Sequence, residues 1–281
     1  MQQHKRIAIQ GYEGSFHQEA ARQFFGPQVE VLPCATFREV ARLAASKKES
    51  DGGIMAIENS IAGSILPNYS LLKSQKLCIV GEVHLQIKQQ LLAFPGVSLH
   101  DVKEVHSHPM ALLQCMAYLE KYPHWKLVET EDTALSAKHL QQYKRKHTVA
   151  IASKLAAQLF GLQVLAPNIH TMKHNYTRFL VLQRPEVALP DPNANKASIN
   201  FATDHSKGSL AKVLTIVAEA GINLSKLQSM PIPGTHFKYS FHADLEFESR
   251  ENLDAIIEKL NAYTLDCSVL GIYKNGKTTT I

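Results

Sequence analysis

The alternation of short apolar runs with helical stretches constrains the fold of this 281-residue chain more than any other feature of its sequence. Apolar runs that predict buried strands occupy residues 7–9, 53–57, 102–105 and 148–152. Each is followed by a polar turn and then by a segment with apolar residues at helical spacing. This order is typical of the α/β class, so we predict one or two mostly parallel sheets. Ligands of such folds bind beyond the carboxyl ends of the strands.

Capping residues mark where several of these helices begin and end. Ser15, Asp132 and Ser153 stand where an N-cap is expected, and Gly161 stands where a helix ends. Pro109 begins a segment that predicts one continuous helix up to Tyr122-Pro123.

Residues 78–87 alternate between apolar and polar side chains, which predicts a strand with one solvated face. Val83, Leu85 and Ile87 would face the core. Glu82 would then face solvent.

The order of elements changes after residues 185–195, whose three prolines predict a linker. Residues 196–281 predict the order strand, helix, strand, strand, helix, strand, which is the ferredoxin-like order. Phe237, Tyr239 and Phe241 alternate with polar residues along the third of these strands. We predict one domain at 1–184, a linker at 185–195 and a second domain at 196–281.

The composition argues against several classes of protein. No run of 18 apolar residues predicts a membrane-spanning helix, and the first strand begins too close to Met1 for a secretory signal. Four scattered cysteines without a Cys-x-x-Cys pair predict reduced thiols, so we expect a cytoplasmic protein. The net charge is +5, but the basic run at 144–147 is typical of a solvated helix end, and we expect no nucleic-acid partner.

No motif predicts a cofactor. The turn at 11–14 opens a helix whose N–H groups suit an anion, but it is neither Gly-x-Gly-x-x-Gly nor a phosphate loop. The fourteen histidines and four cysteines contain no His-x-x-x-His or Cys-x-x-Cys pattern with a matching second pair, so we expect no metal.

Polar clusters stand at the carboxyl ends of three predicted strands, at 11–15, 58–60 and 106–108. A fourth cluster, 173–178, precedes a buried strand at 179–182. Buried polar groups need partners, so each cluster is either satisfied internally or part of a site. Ser107 lies between His106 and His108, but no nucleophile elbow is present, and Ser107 is equally well the start of a helix.

Several of these segments together resemble the motifs of the prephenate dehydratases. They are Gly11-Tyr12-Glu13-Gly14-Ser15-Phe16, Ile57-Glu58-Asn59-Ser60, Ser107-His108-Pro109 with Gln114-Cys115, Asp132-Thr133-Ala134 and Asn175-Tyr176-Thr177-Arg178-Phe179. Together with the C-terminal region, the resemblance covers nearly all of the chain in the family's order. Ala56 stands where the family often has a proline.

The resemblance implies a cofactor-independent enzyme that converts prephenate to phenylpyruvate by decarboxylation and dehydration, in phenylalanine biosynthesis. It implies catalytic roles for Thr177, Asn59, Ser107 and Gln114, with Thr177 at the departing hydroxyl. It also implies substrate-binding roles for Glu58, Ser60, Asn175, Arg178, Phe179, Gly14 and Ser15.

Two of these assignments stay open on the sequence alone. Glu58 is equally well a structural carboxylate that caps nearby N–H groups. Thr177 and Arg178 point to opposite faces of a regular strand, so one of them supports the site from behind unless the strand is bulged. We expect Thr177 to face the substrate.

The fold that the resemblance implies has two α/β subdomains with an intervening cleft, similar to type II periplasmic binding proteins. Subdomain one would contain about 1–77 and 161–184, and subdomain two about 78–160. The C-terminal domain resembles an ACT regulatory domain. The resemblance implies that it assembles the chain into a homodimer or homotetramer and binds phenylalanine as an effector through Gly208, Ser209, Leu210, Asn223 and Leu224.

One departure from the family affects this expectation. The family's Glu-Ser-Arg-Pro is replaced by Gln228-Ser229-Met230-Pro231, which removes an acid and an arginine. The strength of phenylalanine regulation is therefore in doubt. Two alternative functions remain: an arogenate dehydratase, which shares these motifs, and a non-catalytic small-molecule sensor with the same cleft.

Overall fold

The computed structural model of the chain describes residues 5–204, 206–236, 238–276 and 278–279. Phe237, which we placed on a strand, lies outside the described residues. The described chain forms two compact units. The first contains the residues up to Ile65, Val83–Phe179 and 278–279, and the second contains Leu66–Glu82 and the residues from Leu180 to Gly276.

The helices follow the predicted order along the chain. They are α1 (Phe16–Phe25), α2 (Phe37–Ala44), α3 (Leu66–Ser74), α4 (Pro109–Gln114), α5 (Met116–Leu119), α6 (Thr133–Gln142), α7 (Lys154–Phe160), α8 (Ser209–Glu219) and α9 (Arg250–Tyr263). In the part of the chain that the structure describes, no helix has both the length and the apolar character needed to span a bilayer.

The strands include all of those predicted and several short ones that were not. They are β1 (Arg6–Gln10), β2 (Glu30–Cys34), β3 (Gly52–Asn59), β4 (Gly63–Ser64), β5 (Cys78–Gln86), β6 (Gln90–Ala93), β7 (Glu104–Ser107), β8 (Lys126–Glu129), β9 (Thr148–Ala152), β10 (Gln163–Ala166), β11 (Tyr176–Gln183), β12 (Lys196–Ala202), β13 (Asn223–Pro231), β14 (Tyr239–Glu246), β15 (Leu265–Tyr273) and β16 (Thr278–Thr279). The additional strands β2 and β8 lie at sheet edges, where Pro33 and the charged Lys126 and Glu129 weaken the strand signal.

The first sheet has the strand order β16-β5-β11-β3-β1-β2, with β4 beside β3. Strand β1, next to the edge strand β2, is parallel to both β2 and β3, and β4 is antiparallel to β3. β3 carries Asn59 at its carboxyl end, and the neighbouring β11 begins beside it with Tyr176 and Thr177. Two of the predicted polar clusters therefore meet at this edge of the sheet.

The second sheet has the strand order β10-β6-β9-β7-β8 and is mixed. β7 is parallel to β8 and β9, whereas β6 is antiparallel to β9 and β10. The prediction of mostly parallel sheets is thus corrected to mixed sheets, while the α/β class is confirmed.

Strand β9 shows how the second sheet is buried on both faces. Val149 and Ile151 point into one apolar core, and Ala150 and Ala152 point into another on the opposite face. Because successive side chains alternate, a strand that is covered by helices on both sides reads as a continuous apolar run. The run at 148–152 had that appearance in the sequence.

The predicted caps form, with one correction. Ser15, Asp132 and Ser153 accept hydrogen bonds from the first turns of their helices, and Gly161 ends α7 at φ 60°. The helix predicted from Pro109 to Tyr122 is instead broken at Cys115 (φ −108°, ψ 8°). At this break the Gln114 carbonyl accepts a hydrogen bond from the Thr171 N–H at 2.8 Å, and Thr171 lies outside the helix.

The second unit contains the ferredoxin-like order β12-α8-β13-β14-α9-β15, as the sequence predicted. Its antiparallel sheet has the strand order β13-β14-β12-β15, and an apolar core fills the space under α8 and α9. Glu82, predicted to face solvent, is instead buried in this unit, 4% exposed. The ammonium of Lys196 lies 3.0 and 3.2 Å from the two carboxylate oxygens of Glu82 and stabilises the buried charge.

Candidate active site

A cavity of about 250 Å³ lies in the first unit, beside the first residues of β11. The N-terminal ends of α1, α4 and α6 reach it through Ser15, His108 and Asp132. Orphan N–H groups at such helix ends favour anionic ligands. The lining residues are Gln10, Ser15, Phe16, His17, Ala56, Asn59, Ile87, Gln89, His108, Met110, Ala111, Gln114, Glu131, Asp132, Thr133, Thr177 and Phe179.

Asn59 and Thr177 form the polar centre of the cavity wall. The Asn59 Nδ2 lies 3.0 Å from the Thr177 Oγ1, 2.7 Å from the Asn175 Oδ1 and 3.1 Å from the Tyr176 carbonyl. Its Oδ1 accepts from the N–H groups of Ile61 and Ala62 at 3.0 and 2.9 Å. These two donors fix the orientation of the amide, so the Thr177 hydroxyl oxygen accepts a hydrogen bond and its own hydrogen is left to be donated elsewhere.

The alternation of β11 decides which side chains reach the cavity. Thr177 and Phe179 line it, two residues apart on one face of the strand. Arg178 between them is 7% exposed and is not a lining residue. Thr177 therefore reaches the cavity and Arg178 does not.

His17 closes the cavity beside Phe179. The two rings meet edge to face with centroids 4.9 Å apart, and the ring of Phe37 lies 5.6 Å away on another side. The N–H of Ala56 donates to the His17 Nε2 at 3.4 Å. Burial lowers the pKa of His17 to about 3, so its imidazole is neutral near pH 7.

Acidic side chains lie at another part of the lining. Asp132 caps α6 through an Oδ1 that lies 2.9 Å from the Leu135 N–H, and burial raises the pKa of its carboxyl group. Glu131 accepts a hydrogen bond from the Tyr12 hydroxyl at 2.6 Å, which raises the pKa of Tyr12. Gly11 must lack a side chain here, since a Cβ would lie 2.8 Å from the Asp132 Oδ2 at a φ of +90°.

Gln89 and Gln114 complete the polar lining. The Gln89 Nε2 donates to the Gln114 Oε1 at 3.4 Å. Gln89 is 3% exposed, and its Oε1 is buried without a hydrogen-bond partner among the described residues. A buried acceptor without a partner is costly, so a donor from a ligand would stabilise this position.

Comparisons with known proteins agree with one another. A family model described as prephenate dehydratase matches residues 7–187. The bifunctional chorismate mutase/prephenate dehydratase of Escherichia coli (strain K12) is 33% identical over 273 residues, which cover 95% of this chain and 70% of that protein. The chain belongs to the prephenate dehydratase family.

Other similar proteins carry related and unrelated descriptions. Arogenate dehydratase 2 of Petunia hybrida is 36% identical over 285 residues, covering 95% of this chain and 71% of that protein. The crystal structure of an Arthrobacter aurescens prephenate dehydratase in complex with L-Phe matches with a TM-score of 0.85 and 26% identity, covering 98% of this chain and 92% of that one. A protein described as GqqA, a novel type of quorum quenching acylase, matches with a TM-score of 0.87 and 31% identity, covering 97% and 98% of the two chains.

Of the residues that the prephenate dehydratase motifs indicated, five line the cavity: Thr177, Asn59, Gln114, Phe179 and Ser15. Asn175 is fully buried behind Asn59, and its Nδ2 has no partner in the described part of the chain. Ser60 hydrogen-bonds the start of β11, with its Oγ 2.9 Å from the Tyr176 N–H. Both residues thus support the lining rather than form it.

Three motif residues of the prephenate dehydratase pattern lie away from the lining. The Ser107 hydroxyl donates to the Ile151 carbonyl at 2.7 Å, and the N-cap of α4 is His108, so a helix-start role for Ser107 was wrong. Gly14 packs against α7, where a Cβ would lie 3.0 Å from Ala156 at a φ of +85°. Glu58 pairs across β3 and β4 with Ser64.

The residues proposed for phenylalanine lie at opposite ends of α8. Gly208, Ser209 and Leu210 begin this helix, and Asn223 and Leu224 begin the strand that follows it. An eleven-residue helix rises about 16 Å, so one chain does not bring the two groups together. The Asn223 Nδ2 donates to Glu246 at 2.8 Å, and Leu224 packs against the apolar core of the second unit.

The sequence analysis missed several lining residues of this family member, above all His17 and Gln89. His17 directly follows the first motif, and the local sequence does not distinguish it from the other polar residues of α1. Gln89 lies between two short strands and carries no motif. The positions of both depend on tertiary contacts with Ala56, Phe179 and Gln114 that have no local sequence signal.

Proposed function

We propose that the chain catalyses the decarboxylative dehydration of prephenate to phenylpyruvate in the cavity described above. The bond between the ring carbon and its carboxylate breaks, and its electron pair completes the aromatic ring while the carbon–oxygen bond to the opposite hydroxyl breaks. The departing oxygen takes up one proton and leaves as water. The products are carbon dioxide, water and phenylpyruvate, and no electron acceptor is required.

The observation that carries this proposal is the hydrogen bond between the Asn59 Nδ2 and the Thr177 Oγ1. Because Thr177 already accepts from Asn59, its O–H is directed toward the cavity, where it donates to the hydroxyl that leaves. Threonine is a weak acid, so Thr177 acts mainly through its hydrogen bond to the departing oxygen. The proton that this oxygen takes up comes from the Thr177 hydroxyl, which the solvent then reprotonates. This is a positioned general-acid contribution.

The charge of the lining suits the loss of carbon dioxide. The lining residues, all within the described chain, include no lysine and no arginine. A cation against the carboxylate would stabilise the ground state more than the transition state, in which that charge moves into the ring. Neutral donors such as Gln114 and Ser15 bind a carboxylate without this penalty.

Turnover of purified enzyme tests the proposal and its nearest alternative together. We expect the enzyme to convert prephenate to phenylpyruvate. Thr177→Ala should abolish this turnover, and Thr177→Ser should largely preserve it. Arogenate is the competing substrate, since the Petunia hybrida relative is named an arogenate dehydratase, and it would yield phenylalanine. Failure with both substrates would leave the sensor alternative, which predicts binding without turnover.

The finer architecture is part of the same proposal. Residues 1–184 would form a cleft of the type II periplasmic-binding-protein kind, made of subdomains at about 1–77 with 161–184 and at about 78–160. The ferredoxin-like sheet and helices of the second unit correspond to an ACT domain at 196–281, preceded by the linker at 185–195. The β12-α8-β13-β14-α9-β15 order supports this assignment.

Phenylalanine is the proposed effector of the ACT domain. The residues at the start of α8 and the start of β13 lie too far apart in one chain to hold one amino acid, so two copies must supply them. This supports a homodimer or homotetramer, and the L-Phe complex of the Arthrobacter aurescens protein supports the ligand. We expect phenylalanine to raise the assembled fraction in analytical ultracentrifugation and to inhibit turnover, and Asn223→Ala to weaken both effects together.

The acylase description of one structural neighbour supports a second candidate activity. That neighbour is similar over the full length of this chain. Hydrolysis of N-acyl homoserine lactones by the purified enzyme, followed by mass spectrometry, tests it. We expect Thr177→Ala to abolish this activity if it uses the same cavity, and unchanged hydrolysis would place it elsewhere.

A further inference from the structure

His17 has no role in the motif-based mechanism, yet its ring forms part of the cavity wall next to Thr177 and Phe179. It lies in the first turn of α1, two residues after the N-cap Ser15. The rings of Phe179 and Phe37 pack against it at 4.9 and 5.6 Å, which restricts rotation of the imidazole. A clamped polar ring in a ligand cavity presents one fixed hydrogen-bonding atom to whatever binds there.

The identity of that atom follows from the contact with Ala56. The backbone N–H of Ala56 points at the His17 Nε2 from 3.4 Å, so Nε2 must be an acceptor. In a neutral imidazole the proton then resides on Nδ1, which makes Nδ1 a donor. Nδ1 has no hydrogen-bond partner in the described part of the chain.

His17 and Thr177 line the same cavity at different points. Thr177 and Phe179 are neighbours on one face of β11, about 7 Å apart along the strand. His17 contacts the ring of Phe179, and all three residues line the cavity. A ligand in the cavity can therefore meet both the Thr177 hydroxyl and the imidazole of His17. The ring of prephenate carries its leaving hydroxyl on one carbon and its two carboxylate-bearing groups on the opposite carbon.

We propose that the His17 Nδ1–H donates a hydrogen bond to a carboxylate oxygen of the pyruvyl side chain, at the end of the substrate ring opposite the leaving hydroxyl. This inference rests on the proposed dehydratase function. Thr177 then holds one end of the ring and His17 the other. The donor is neutral, so it orients the carboxylate without the strong attraction of a cation.

A hydrogen bond of this kind acts mainly on binding. The carboxylate is fully charged in the ground state, so removal of the donor raises KM and changes kcat little. The loss of a hydrogen bond to a charged group corresponds to roughly a tenfold or larger rise in KM. Thr177 variants have the opposite signature, because they lower kcat.

Two variants separate contact with substrate from support of the backbone. In His17→Asn the side-chain amide ends near the position of Nδ1, so it retains a donor for the substrate and loses the acceptor for Ala56. In His17→Gln the amide reaches the position of Nε2, so it retains the acceptor and loses the donor. We expect His17→Gln to raise KM about tenfold or more, and His17→Asn to stay within about threefold of the wild type.

A normal KM in His17→Gln with a raised KM in His17→Asn would show that His17 only supports the backbone at Ala56. That outcome would overturn the proposal. Normal KM in both variants would overturn it too. If both variants unfold, the ¹⁵N spectrum of histidine-labelled wild-type protein decides. The proposal requires the Nδ1–H tautomer at pH 7 and a shift of that nitrogen when phenylpyruvate is added.

A spectrum with the Nε2–H tautomer, an imidazolium, or no response to phenylpyruvate contradicts the proposal. These outcomes differ from failure of the dehydratase function itself. That function fails only if wild-type enzyme turns over neither prephenate nor arogenate, whatever the state of His17.

Discussion

The cavity of the first unit and the buried polar groups of the second unit use polarity in opposite ways. The cavity wall beside β11 carries neutral groups, namely Asn59, Thr177, Gln89 and His17, and the buried Gln89 Oε1 has no partner within the described chain. The second unit buries ionisable groups, and most of these are paired with one another. An unpaired acceptor in the cavity wall is thus free for a ligand, whereas the paired groups of the second unit stabilise the fold.

The buried polar groups of the second unit form an ion pair and several hydrogen bonds with one another. Lys196 and Glu82 form an ion pair that is 4% exposed on each side, and the Gly276 N–H adds a third donor to Glu82 at 3.0 Å. Nearby, the Ser198 hydroxyl lies 2.6 Å from both Asp244 and the Tyr273 hydroxyl. These contacts join Glu82 of β5 to the ferredoxin-like sheet, far away in sequence.

The largest expected effect comes from breaking that ion pair. Lys196→Met leaves the Glu82 carboxylate buried without its cation, and we expect the unfolding free energy to fall by about 3–5 kcal/mol. Urea unfolding measures the loss, and kcat of the folded variant should stay at the wild-type value.

A double variant provides the control for this prediction. Lys196→Met with Glu82→Leu removes both charges, and replacement of a buried pair by apolar groups is often neutral. We expect it to recover most of the lost stability. If the single variant were as stable as wild type, the contrast between the two regions would not hold.

The next largest effect concerns the cavity. Thr177→Ala removes the donor to the leaving hydroxyl, and we expect kcat to fall about 10²-fold or more with a smaller change in KM. Thr177→Ser keeps the hydroxyl and should retain most of the activity. Steady-state kinetics measure both, and wild-type turnover by Thr177→Ala would contradict the assigned role.

A smaller effect tests the direction of one hydrogen bond. Asn59→Asp replaces the Nδ2 donor by an oxygen, which accepts the Thr177 hydrogen instead of donating to its oxygen. We expect kcat to fall on the order of tenfold, because Thr177 then donates to the protein instead of to the substrate. Thermal unfolding serves as the control, since either carboxylate oxygen can still accept from Ile61 and Ala62.

The same contrast explains how much the sequence could predict. The element order, the caps and the ferredoxin-like topology depend on local spacing, and they were predicted correctly. Thr177, Asn59 and Gln114 were found because their motifs are recognisable. Lys196 and Glu82 are 114 positions apart, so no local pattern shows that they pair.

His17 was missed for a related reason. In the sequence it is one residue of an amphipathic helix, and only the packing of Phe179, Phe37 and Ala56 makes it a half-buried, neutral donor. The break at Cys115 also depends on a distant partner, the N–H of Thr171. Local sequence spacing thus determines the helices and strands, whereas the hydrogen bonds of the site depend on contacts between residues far apart in the sequence.

The last expected effect is a pH dependence of stability that originates at His17. Its pKa is about 3 in the folded protein, below the value near 6.5 of an unfolded chain, so the unfolded state binds more protons at intermediate pH. The contribution to stability is therefore complete above pH 6.5 and is lost as the pH falls toward 3. A single proton of this kind changes the unfolding free energy by at most about 1.4 kcal/mol per pH unit.

Comparison with His17→Gln isolates this contribution. Asp132 has a raised pKa and acts with the opposite sign, because folding favours its protonated form as the pH falls, and His170, whose pKa is lowered, acts with the same sign as His17. Both groups are unchanged in the variant, so the difference in slope between pH 6 and pH 4 belongs to His17. We expect the wild type to lose stability more steeply than His17→Gln in urea unfolding over this range. Equal slopes would mean that His17 is solvated enough to be charged in the folded protein, and the cavity would then contain a cation at low pH instead of the neutral donor that distinguishes it from the second unit.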